Sequence, residues 1–573
     1  MRVAFASARA AVARPAWTVD RLLQGSVFIG TVLLVGMPVV PILYQSILDR
    51  PLYDPARTFT LGNYARLVLS GEFWRVAANT FLFAAMTTAL ALLLGTAFAV
   101  LITRTDLPAS GWLAGAFTAP IYLSPLVIAF AWVVVFGPQG YLTILVRSLL
   151  GVEPWSLYSL PGMAVLGGAY YAPLAYLYCV GALALSDPAL EDAARIAGAG
   201  PLRTLWGVTL PLLRPALVYS GLLIFIASLE VLSIPLVLGT PVGIELFSSY
   251  LYKLGVVGVA TDYGVIAAAS VLILSVLTLL VLLQERLLGR RRRFVTVTGR
   301  ANRVRILSLG VLRWPLGAVC SAYVLVVIAL PLLGLALRSF TAFLSPLANP
   351  FHLLTLDNFR LVFTHSAYVR SIWNSVLVAA LGGAAGIAFM ALTTLLALRS
   401  DFPGRRALVY VALYPRAIPG VIVGMGFLWA FLMVPGLGAI RNTLIGVTLA
   451  FVMRYIPYGF GAVAPAIVRV GEELDRAARV AGADWTTTVG RIILPLVRGA
   501  LASGYALLFI TFLKEYASAV FLFARGSEVL GTTMIELWRQ GDTGPVAALA
   551  AVQLVLTALG LAFARRIGGT NTR

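Results

Sequence analysis

Long apolar stretches separated by short polar segments run along almost the whole chain. Each apolar stretch holds about 20 residues or more, the length that an α-helix needs to cross the hydrocarbon core of a bilayer. There are twelve such stretches, near residues 22–47, 78–102, 113–136, 160–184, 215–239, 264–284, 316–337, 373–398, 407–433, 442–466, 499–522 and 546–564. The pattern predicts an all-α integral membrane protein with about twelve transmembrane helices, which we call spans 1 to 12.

One polar segment between these stretches is written twice. Residues 190–217 read LEDAARIAGAGPLRTLWGVTLPLLRPAL and residues 474–501 read LDRAARVAGADWTTTVGRIILPLVRGAL, with 14 identities in 28 positions and a constant offset of 284. A repeat at about half the length of a chain indicates two homologous halves. We therefore predict a first repeat of six spans at 1–284, a linker at 285–315 and a second repeat of six spans at 316–573, in parallel orientation.

The repeated segment has the pattern of two short helices joined by a glycine. Its first part is rich in Ala, Arg and Glu, which favour helix. Gly198 and Gly482 follow at matching positions, where a chain turns or another backbone comes close. Leu210-Pro211 and Leu494-Pro495 are predicted to open the next apolar helix, because proline is tolerated in the first turn of a helix. The pattern predicts helix, glycine turn, helix and membrane helix in two loops, 187–214 and 471–498.

The low content of charged residues supports a membrane protein, and their distribution predicts how it is oriented in the membrane. Charged residues make up 12% of the chain and hydrophobic residues 60%, whereas soluble domains average about 25% charged residues. With the N-terminus in the cytoplasm, 28 Lys and Arg fall on the cytoplasmic side and 12 on the other, as the positive-inside rule requires. The net charge of +20 therefore indicates membrane lipid rather than nucleic acid as the partner, and the basic linker is expected to contact anionic headgroups. Both termini are predicted to be cytoplasmic.

The sequence offers no pattern for covalent chemistry or for a metal site. Cys179 and Cys320 lie inside apolar stretches without metal-ligand spacing, so we expect buried, free thiols. The chain has two lysines, Lys253 and Lys514, and neither follows a glycine. This excludes the Gly-Lys-Ser/Thr of a phosphate-binding loop. We predict that the chain is not an enzyme and has no catalytic residue, metal site or cofactor, so that any ATP hydrolysis comes from a separate polypeptide.

Ionisable residues inside apolar spans are costly, which makes them candidates for function. Glu230 and Lys514 occupy equivalent positions of the two repeats, as do Tyr171 and Tyr455. Two interpretations stay open: the charges face a shared substrate path, or they form ion pairs that hold helices together. The candidates for the path are Glu230, Lys514, Glu515, Arg454, Tyr171 and Tyr455.

The spacing in the repeated loops resembles the signature of ABC importer permeases, which reads Glu-Ala-Ala, three residues, Gly, nine residues, Ile, one residue, Leu-Pro. Asp192-Ala193-Ala194, Gly198, Val208 and Leu210-Pro211 fill it in the first loop, and Arg476-Ala477-Ala478, Gly482, Ile492 and Leu494-Pro495 in the second. The departure is the first position, where Asp192 and Arg476 replace glutamate. The residues that the resemblance assigns to ATPase coupling are Glu191, Asp192, Ala193, Ala194, Gly198, Leu210, Pro211, Asp475, Arg476, Ala477, Ala478, Gly482, Leu494 and Pro495.

The resemblance covers nearly the whole chain and is greatest for fused, two-half permeases of ferric iron importers. Beyond the loops it is carried by RRRFVTVTGR at 291–300, YPRAIPGVIVG at 414–424 and ARGSEVLGTTMIELWRQG at 524–541. It implies the type I ABC importer permease architecture in the bacterial inner membrane, two copies of a cytoplasmic ATPase that bind ATP and Mg, and a periplasmic binding protein. Ferric iron is the first expectation for the solute. Thiamine, a polyamine, a phosphonate or another small solute is the alternative, and a stand-alone secondary transporter is the rival class.

Overall fold

The computed structural model describes residues 14–186, 188–257, 262–289 and 307–569. In these ranges the regular secondary structure is helical, and extended segments pair only as isolated bridges. Eleven described helices are long and apolar enough to cross a membrane, and one sharply bent pair raises the number to twelve. The predicted all-α class and number of spans are therefore confirmed. Most of the basic linker, 290–306, lies outside the described residues, and its contact with lipid stays a prediction.

The α-helices are numbered here in chain order. Those of the first repeat are α1 Arg14–Ser46, α2 Gly62–Leu69, α3 Gly71–Arg104, α4 Ser110–Thr118, α5 Pro125–Phe136, α6 Tyr141–Leu150, α7 Leu160–Leu185, α8 Pro188–Ile196, α9 Pro201–Thr204, α10 Leu210–Glu230, α11 Phe247–Tyr252 and α12 Tyr263–Gly289. Those of the second are α13 Arg313–Tyr323, α14 Leu330–Ser339, α15 Asp357–Thr364, α16 Ser366–Leu377, α17 Gly383–Arg399, α18 Arg405–Leu413, α19 Gly420–Met433, α20 Leu444–Arg469, α21 Glu472–Val480, α22 Trp485–Thr488, α23 Leu494–Lys514, α24 Leu530–Gln540 and α25 Thr543–Gly569.

The third span of each repeat is broken, which corrects the continuous spans predicted at 113–136 and 407–433. In the second repeat, the helical segment that begins with α18 meets α19 at an angle of 112°. In the first repeat, α4 and α5 are separated at the equivalent place, and the stretch long and apolar enough to cross a membrane is Pro125–Leu150 rather than 113–136. Pro120 and Pro415, which are 295 residues apart, precede the two breaks. Because proline lacks an N–H and restricts the residue before it, it favours a break or a kink at this point.

The α-helices of the fifth spans, α10 and α23, begin at Leu210 and Leu494 with the proline in the first turn, as predicted, but each continues directly from a helical turn before it. A π-helical turn joins α9 to α10, and another joins α22 to α23. These wide turns directly precede Pro211 and Pro495, whose rings and missing N–H groups are incompatible with the regular hydrogen bond to residue i−4. Both helices also end earlier than predicted, at Glu230 and Lys514.

The described chain forms two compact units that do not follow the two sequence repeats. Unit 1 comprises Met1–Leu61, Ser366–Thr533 and Gln553–Arg573, and unit 2 comprises Gly62–His365 and Met534–Val552. The first span of each repeat thus belongs to the unit built mainly from the other repeat. The sequence boundaries of the repeats stay a prediction.

Glycines allow the first span of each repeat to pack closely within its unit. In unit 1, α1 packs against α19, and a Cβ added to Gly426 would overlap the carbonyl of Pro38. In unit 2, α14 packs against α5, and a Cβ on Gly334 would lie 2.5 Å from Val135 Cγ2. Small residues let helix backbones approach closely, which favours association within a membrane.

One buried cluster of unit 2 is built from aromatic, aliphatic and small side chains of spans 2, 3, 4, 5 and 7. Phe98 stacks on Phe117 with a centroid separation of 4.0 Å. Cys179 and Cys320 are buried in the same cluster as free thiols. The expectation for both cysteines is therefore confirmed.

Candidate functional site

Both repeated loops end their first helix in the same glycine turn. Gly198 after α8 has a φ of +84°, and Gly482 after α21 has a φ of +83°. The Gly198 N–H donates to the Arg195 carbonyl at 2.9 Å, and the Ala199 N–H donates to the Ala194 carbonyl at 3.0 Å. These two bonds form the Schellman motif, in which a left-handed residue closes a helix. The second loop repeats them from Gly482 to Arg479 at 3.0 Å and from Ala483 to Ala478 at 2.9 Å.

Each loop exposes apolar side chains beside this turn. Ile196 is 88% exposed, and Val480, its repeat partner, is 90% exposed. Leu190 and Leu474, a second pair of partners, are 50% and 42% exposed. An apolar face that recurs at the same positions of two loops is typical of a surface that binds another protein. The docking role of the loops stays a prediction.

The predicted coupling residues divide between this exposed face and the interior. The side chain at the family's glutamate position lies at the surface: Asp192 pairs with Arg195 at 3.3 Å, and Arg476 pairs with Glu472 at 3.3 Å. Of the other residues, Ala193, Ala477, Gly198, Gly482 and Pro495 are exposed, Ala194, Leu210, Pro211, Leu494 and Asp475 are partly buried, and Glu191 and Ala478 are buried.

The inward-facing carboxylate comes from the preceding position, Glu191 or Asp475. Glu191 accepts a hydrogen bond from the Thr209 hydroxyl at 3.0 Å and lies 3.7 Å from Arg104 Nε. Asp475 lies 2.7 Å from Arg399 Nη1. A shift of one residue turns a side chain by about 100° around a helix. The family pattern alone therefore does not identify which carboxylate faces the membrane helices.

An aspartate from the first span binds the second loop, a contact that no sequence pattern predicted. The backbone N–H groups of Trp485 and Thr486, at the start of α22, donate to Asp20 at 2.8 and 3.2 Å. The Thr487 N–H donates to Asp484 at 2.8 Å, and hydrogen bonds from Thr487 lower the pKa of that carboxyl. Carboxylates at a helix N-terminus satisfy free donors and interact well with the helix dipole. The first loop has Pro201 at the position of Trp485, and proline has no N–H to satisfy.

Arg454 and Glu515 form a buried ion pair in unit 1. Arg454 Nε lies 3.5 Å from Glu515 Oε2, and the two side chains are 15% and 6% exposed. The Tyr455 hydroxyl donates to the same carboxylate, and the Ser518 N–H donates to its other oxygen at 2.9 Å. This network joins α20 to the segment after α23. The geometry supports the ion-pair interpretation for these residues, and a contact with substrate stays a prediction.

Of the other candidates for the substrate path, Glu230 and Lys514 lie at helix ends and Tyr171 lies within α7. Glu230 is the last residue of α10, and Lys514 is the last residue of α23. The Glu230 carbonyl accepts a hydrogen bond from the Ser248 hydroxyl at 2.9 Å, and Tyr171 donates to the Ala227 carbonyl at 3.3 Å. Glu230 and Tyr171 belong to unit 2, whereas Lys514, Glu515, Arg454 and Tyr455 belong to unit 1. Among the described residues, no group of three or more His, Cys, Asp and Glu could hold a metal ion.

A second repeated motif was missed in the sequence because its offset is 283 rather than 284 or 295. It reads Gly243-Ile-Glu245 in the first repeat and Gly526-Ser-Glu528 in the second, and both glycines have positive φ. Asn79 donates to the Glu245 carbonyl at 3.5 Å, and Asn374 donates to the Glu528 carbonyl at 2.8 Å. The neighbouring hydroxyls of span 2 then accept from the starts of α11 and α24, Phe247 N–H to Thr80 at 2.9 Å and Leu530 N–H to Ser375 at 2.8 Å.

Comparison with known proteins agrees with the repeated architecture. The family model described as "Binding-protein-dependent transport system inner membrane component" matches residues 91–294 and 390–569. The ferric transport system permease protein FbpB of Actinobacillus pleuropneumoniae is 26% identical over 520 residues, which cover 88% of this chain and 72% of that protein. The sulfate transport system permease protein CysT of Salmonella typhimurium is 27% identical over 206 residues, covering 34% of this chain and 70% of that protein.

Among solved structures, a bacterial ABC transporter involved in the import of the acidic polysaccharide alginate is 20% identical. The match covers 44% of this chain and 96% of that one, with a TM-score of 0.35. The family model matches the chain twice and covers more than half of it, once around each Schellman-terminated loop. This chain therefore belongs to the family of binding-protein-dependent transport system inner membrane components, with two copies of the family's domain fused in one polypeptide.

Proposed function

We propose that the chain is the permease subunit of an ATP-driven importer in the bacterial inner membrane. The observation that carries this proposal is the pair of repeated loops. In both, the first helix ends in the same glycine turn, and apolar side chains are exposed at the same positions, Ile196 and Val480 among them. Each loop receives one copy of a cytoplasmic ATPase, which binds the ATP and Mg that this chain has no motif to hold. A periplasmic binding protein delivers the solute from the opposite side, and both termini of the chain face the cytoplasm.

In the proposed mechanism, the two loops pass the movement of the ATPase to the membrane helices. ATP binding closes the two ATPase copies on each other, and the docked loops move with them. The membrane helices then change from an inward-open to an outward-open arrangement, and hydrolysis restores the first. Such gating shifts the population between two conformations, and its size is limited by how differently the ATPase binds each of them.

Ferric iron is the solute that we propose. It is supported by the ferric permease relative, whose match covers 88% of this chain, whereas the match to the sulfate permease covers 34%. Sulfate therefore joins thiamine, polyamines and phosphonates as an alternative within the same importer class. A secondary transporter is the remaining alternative class. It works without an ATPase and would not need a repeated docking loop.

The test is ATP hydrolysis by the reconstituted complex. The chain is co-expressed with the ATPase and binding-protein genes of its genomic neighbourhood, and the complex is placed in nanodiscs. The binding protein is added empty or loaded with ferric iron, thiamine, putrescine, a phosphonate or sulfate. We expect only the iron-loaded protein to raise ATP hydrolysis above the level with empty protein. Stimulation by another solute would replace iron, and a chain that purifies without any ATPase would reopen the secondary-transporter class.

A further inference from the structure

A buried arginine joins three helices at the base of the first loop. Arg104 is the last residue of α3, and its side chain is 7% exposed. Its Nη2 donates to the Leu183 carbonyl at 3.1 Å and to the Ser186 hydroxyl at 2.6 Å, both at the end of α7. Its Nε lies 3.7 Å from the Glu191 carboxylate of α8. The side chain therefore connects the ends of spans 2 and 4 with the first helix of the loop.

The same arrangement occurs in unit 1. Arg399 is the last residue of α17, and its side chain is 8% exposed. Its Nη2 donates to the carbonyl of Ile467 at 2.7 Å and to that of Val470, at the end of α20. Its Nη1 donates to Asp475 of α21 at 2.7 Å. Ile467, Val470 and Asp475 each follow their counterparts Leu183, Ser186 and Glu191 by 284 residues, so the contact belongs to the repeat.

Arginine suits this position because of its shape. The last carbonyls of a helix have no partner within the helix, and a guanidinium has five donors in a rigid, planar fork. One arginine can therefore satisfy the end of span 4 and still bind a carboxylate. Removing either member of a buried ion pair leaves an uncompensated charge, which is strongly destabilising. The first helix of each loop is thus held at a fixed position against spans 2 and 4.

The covalent link alone would not fix that position. Only Val470 and Gly471 separate α20 from α21, both with extended backbone angles. A two-residue link does not by itself fix the direction of α21, whereas the buried bond from Arg399 to Asp475 and the exposed pair of Arg479 with Asp401 at 3.3 Å restrain it. We propose that Arg399, and Arg104 in the first repeat, are positioning residues that carry the movement of the coupling helix to the inner ends of spans 2 and 4. This inference rests on the proposed function, in which an ATPase moves the loops.

The contact between arginine and carboxylate is shorter in the second repeat than in the first. Asp475 contacts Arg399 directly, whereas the Glu191 carboxylate is also bound by Thr209 and lies farther from its arginine. The test therefore uses the second copy. Spin labels are placed at Glu473 on α21 and at Arg406 on α18, which packs against α17. The distance between the labels is measured by pulsed electron paramagnetic resonance in the full complex, without nucleotide and trapped with ATP and vanadate.

In the wild-type complex we expect the distance between the labels to be the same in both states, because the arginine makes the coupling helix and span 2 move together. The variants are Asp475→Asn and the conservative Arg399→Lys. In both, we expect the fraction of vanadate-trapped molecules that keep the wild-type label distance to fall about fivefold, within the range found for residues that carry coupling. The control is Arg50→Gln, since Arg50 belongs to unit 1, is 54% exposed and pairs with Asp54 at 3.7 Å rather than with the loop. It should leave the distance unchanged.

Three outcomes would overturn the inference: a wild-type distance that changes on trapping, a distance unaltered in both variants, or variants that lose only the bound ATPase. The last would mean that the arginine shapes the docking surface and transmits nothing. A wild-type complex that binds no ATPase and cannot be trapped would instead contradict the proposed function, so the two failures are distinguishable. Two variants are used so that misfolding of one leaves the other decisive.

Discussion

The glycine turns allow the docking hypothesis to be tested with a matched pair of substitutions. Gly482 has a φ of +83° in the second loop, and Gly436 has a φ of +89° between spans 9 and 10. A Cβ added at either glycine would meet no atom within 4 Å. Leucine at either site is therefore strained only by its backbone conformation, which costs about 1–2 kcal/mol. The stability of a folded protein is typically about 5–15 kcal/mol, so both variants should fold.

The prediction is that Gly482→Leu reduces binding of the ATPase, whereas Gly436→Leu does not. The physical reason is that the side chain added at residue 482 lies in open space two residues from the exposed Val480, while the backbone strain is similar in the two variants. The assay measures the amount of ATPase that co-purifies with membrane-extracted chain, together with solute uptake per ATP hydrolysed. Gly198→Leu in the first loop should behave like Gly482→Leu.

Two results would refute this reasoning. Normal ATPase binding and uptake in a chain carrying both Gly198→Leu and Gly482→Leu would exclude the loops as the docking site. An equal loss in Gly436→Leu would show that backbone strain, and not the docking face, causes the defect. The amount and thermal stability of each variant in the membrane are measured alongside, because a chain that fails to fold says nothing about docking.

Three further predictions concern contacts that hold unit 1 together. Asp20→Ala should destabilise the second loop by about 0.5–2 kcal/mol, which is the cost of losing an N-terminal cap. The measurement is hydrogen exchange at the Trp485 amide, which should become faster; unchanged exchange would contradict the prediction. Glu515→Gln leaves Arg454 buried without its carboxylate and should cost about 3–5 kcal/mol, measured as a fall in melting temperature in detergent. An unchanged melting temperature would show that water solvates this site. Asn374→Ala removes the amide bound to the turn before α24 and should increase proteolysis of that turn while leaving ATPase binding intact; loss of ATPase binding would show that the turn is coupled to the loops.

The sequence predicted the parts of the fold that follow from local rules. A chain in a bilayer must satisfy its backbone polar groups within each segment, so long apolar stretches can be identified as helices from composition and length. The glycine turn was predictable for a similar reason. A residue with positive φ favours glycine, and two glycines at an offset of 284 marked both turns.

Local rules predicted where the α-helix of span 5 begins but not the turn before it. The Leu-Pro pairs begin α10 and α23 as expected, whereas the π-helical turns that join them to the preceding short helices were not predicted. The breaks of the third spans were missed as well, since apolar composition continues across them. Hydropathy measures the preference of a segment for lipid and does not measure the direction of its axis.

What the sequence alone determined is the class of protein, the number of spans, the internal repeat and the two glycine turns, because each can be identified from local composition or by comparing one segment with another. Only the tertiary structure decided that the first span of each repeat packs in the unit built mainly from the other repeat. It also decided that Glu191 and Asp475, rather than Asp192 and Arg476, face the arginines, and that Asp20 caps a helix 465 residues away. These contacts depend on which helix faces pack together, and periodicity within one segment contains no information about the surface of another.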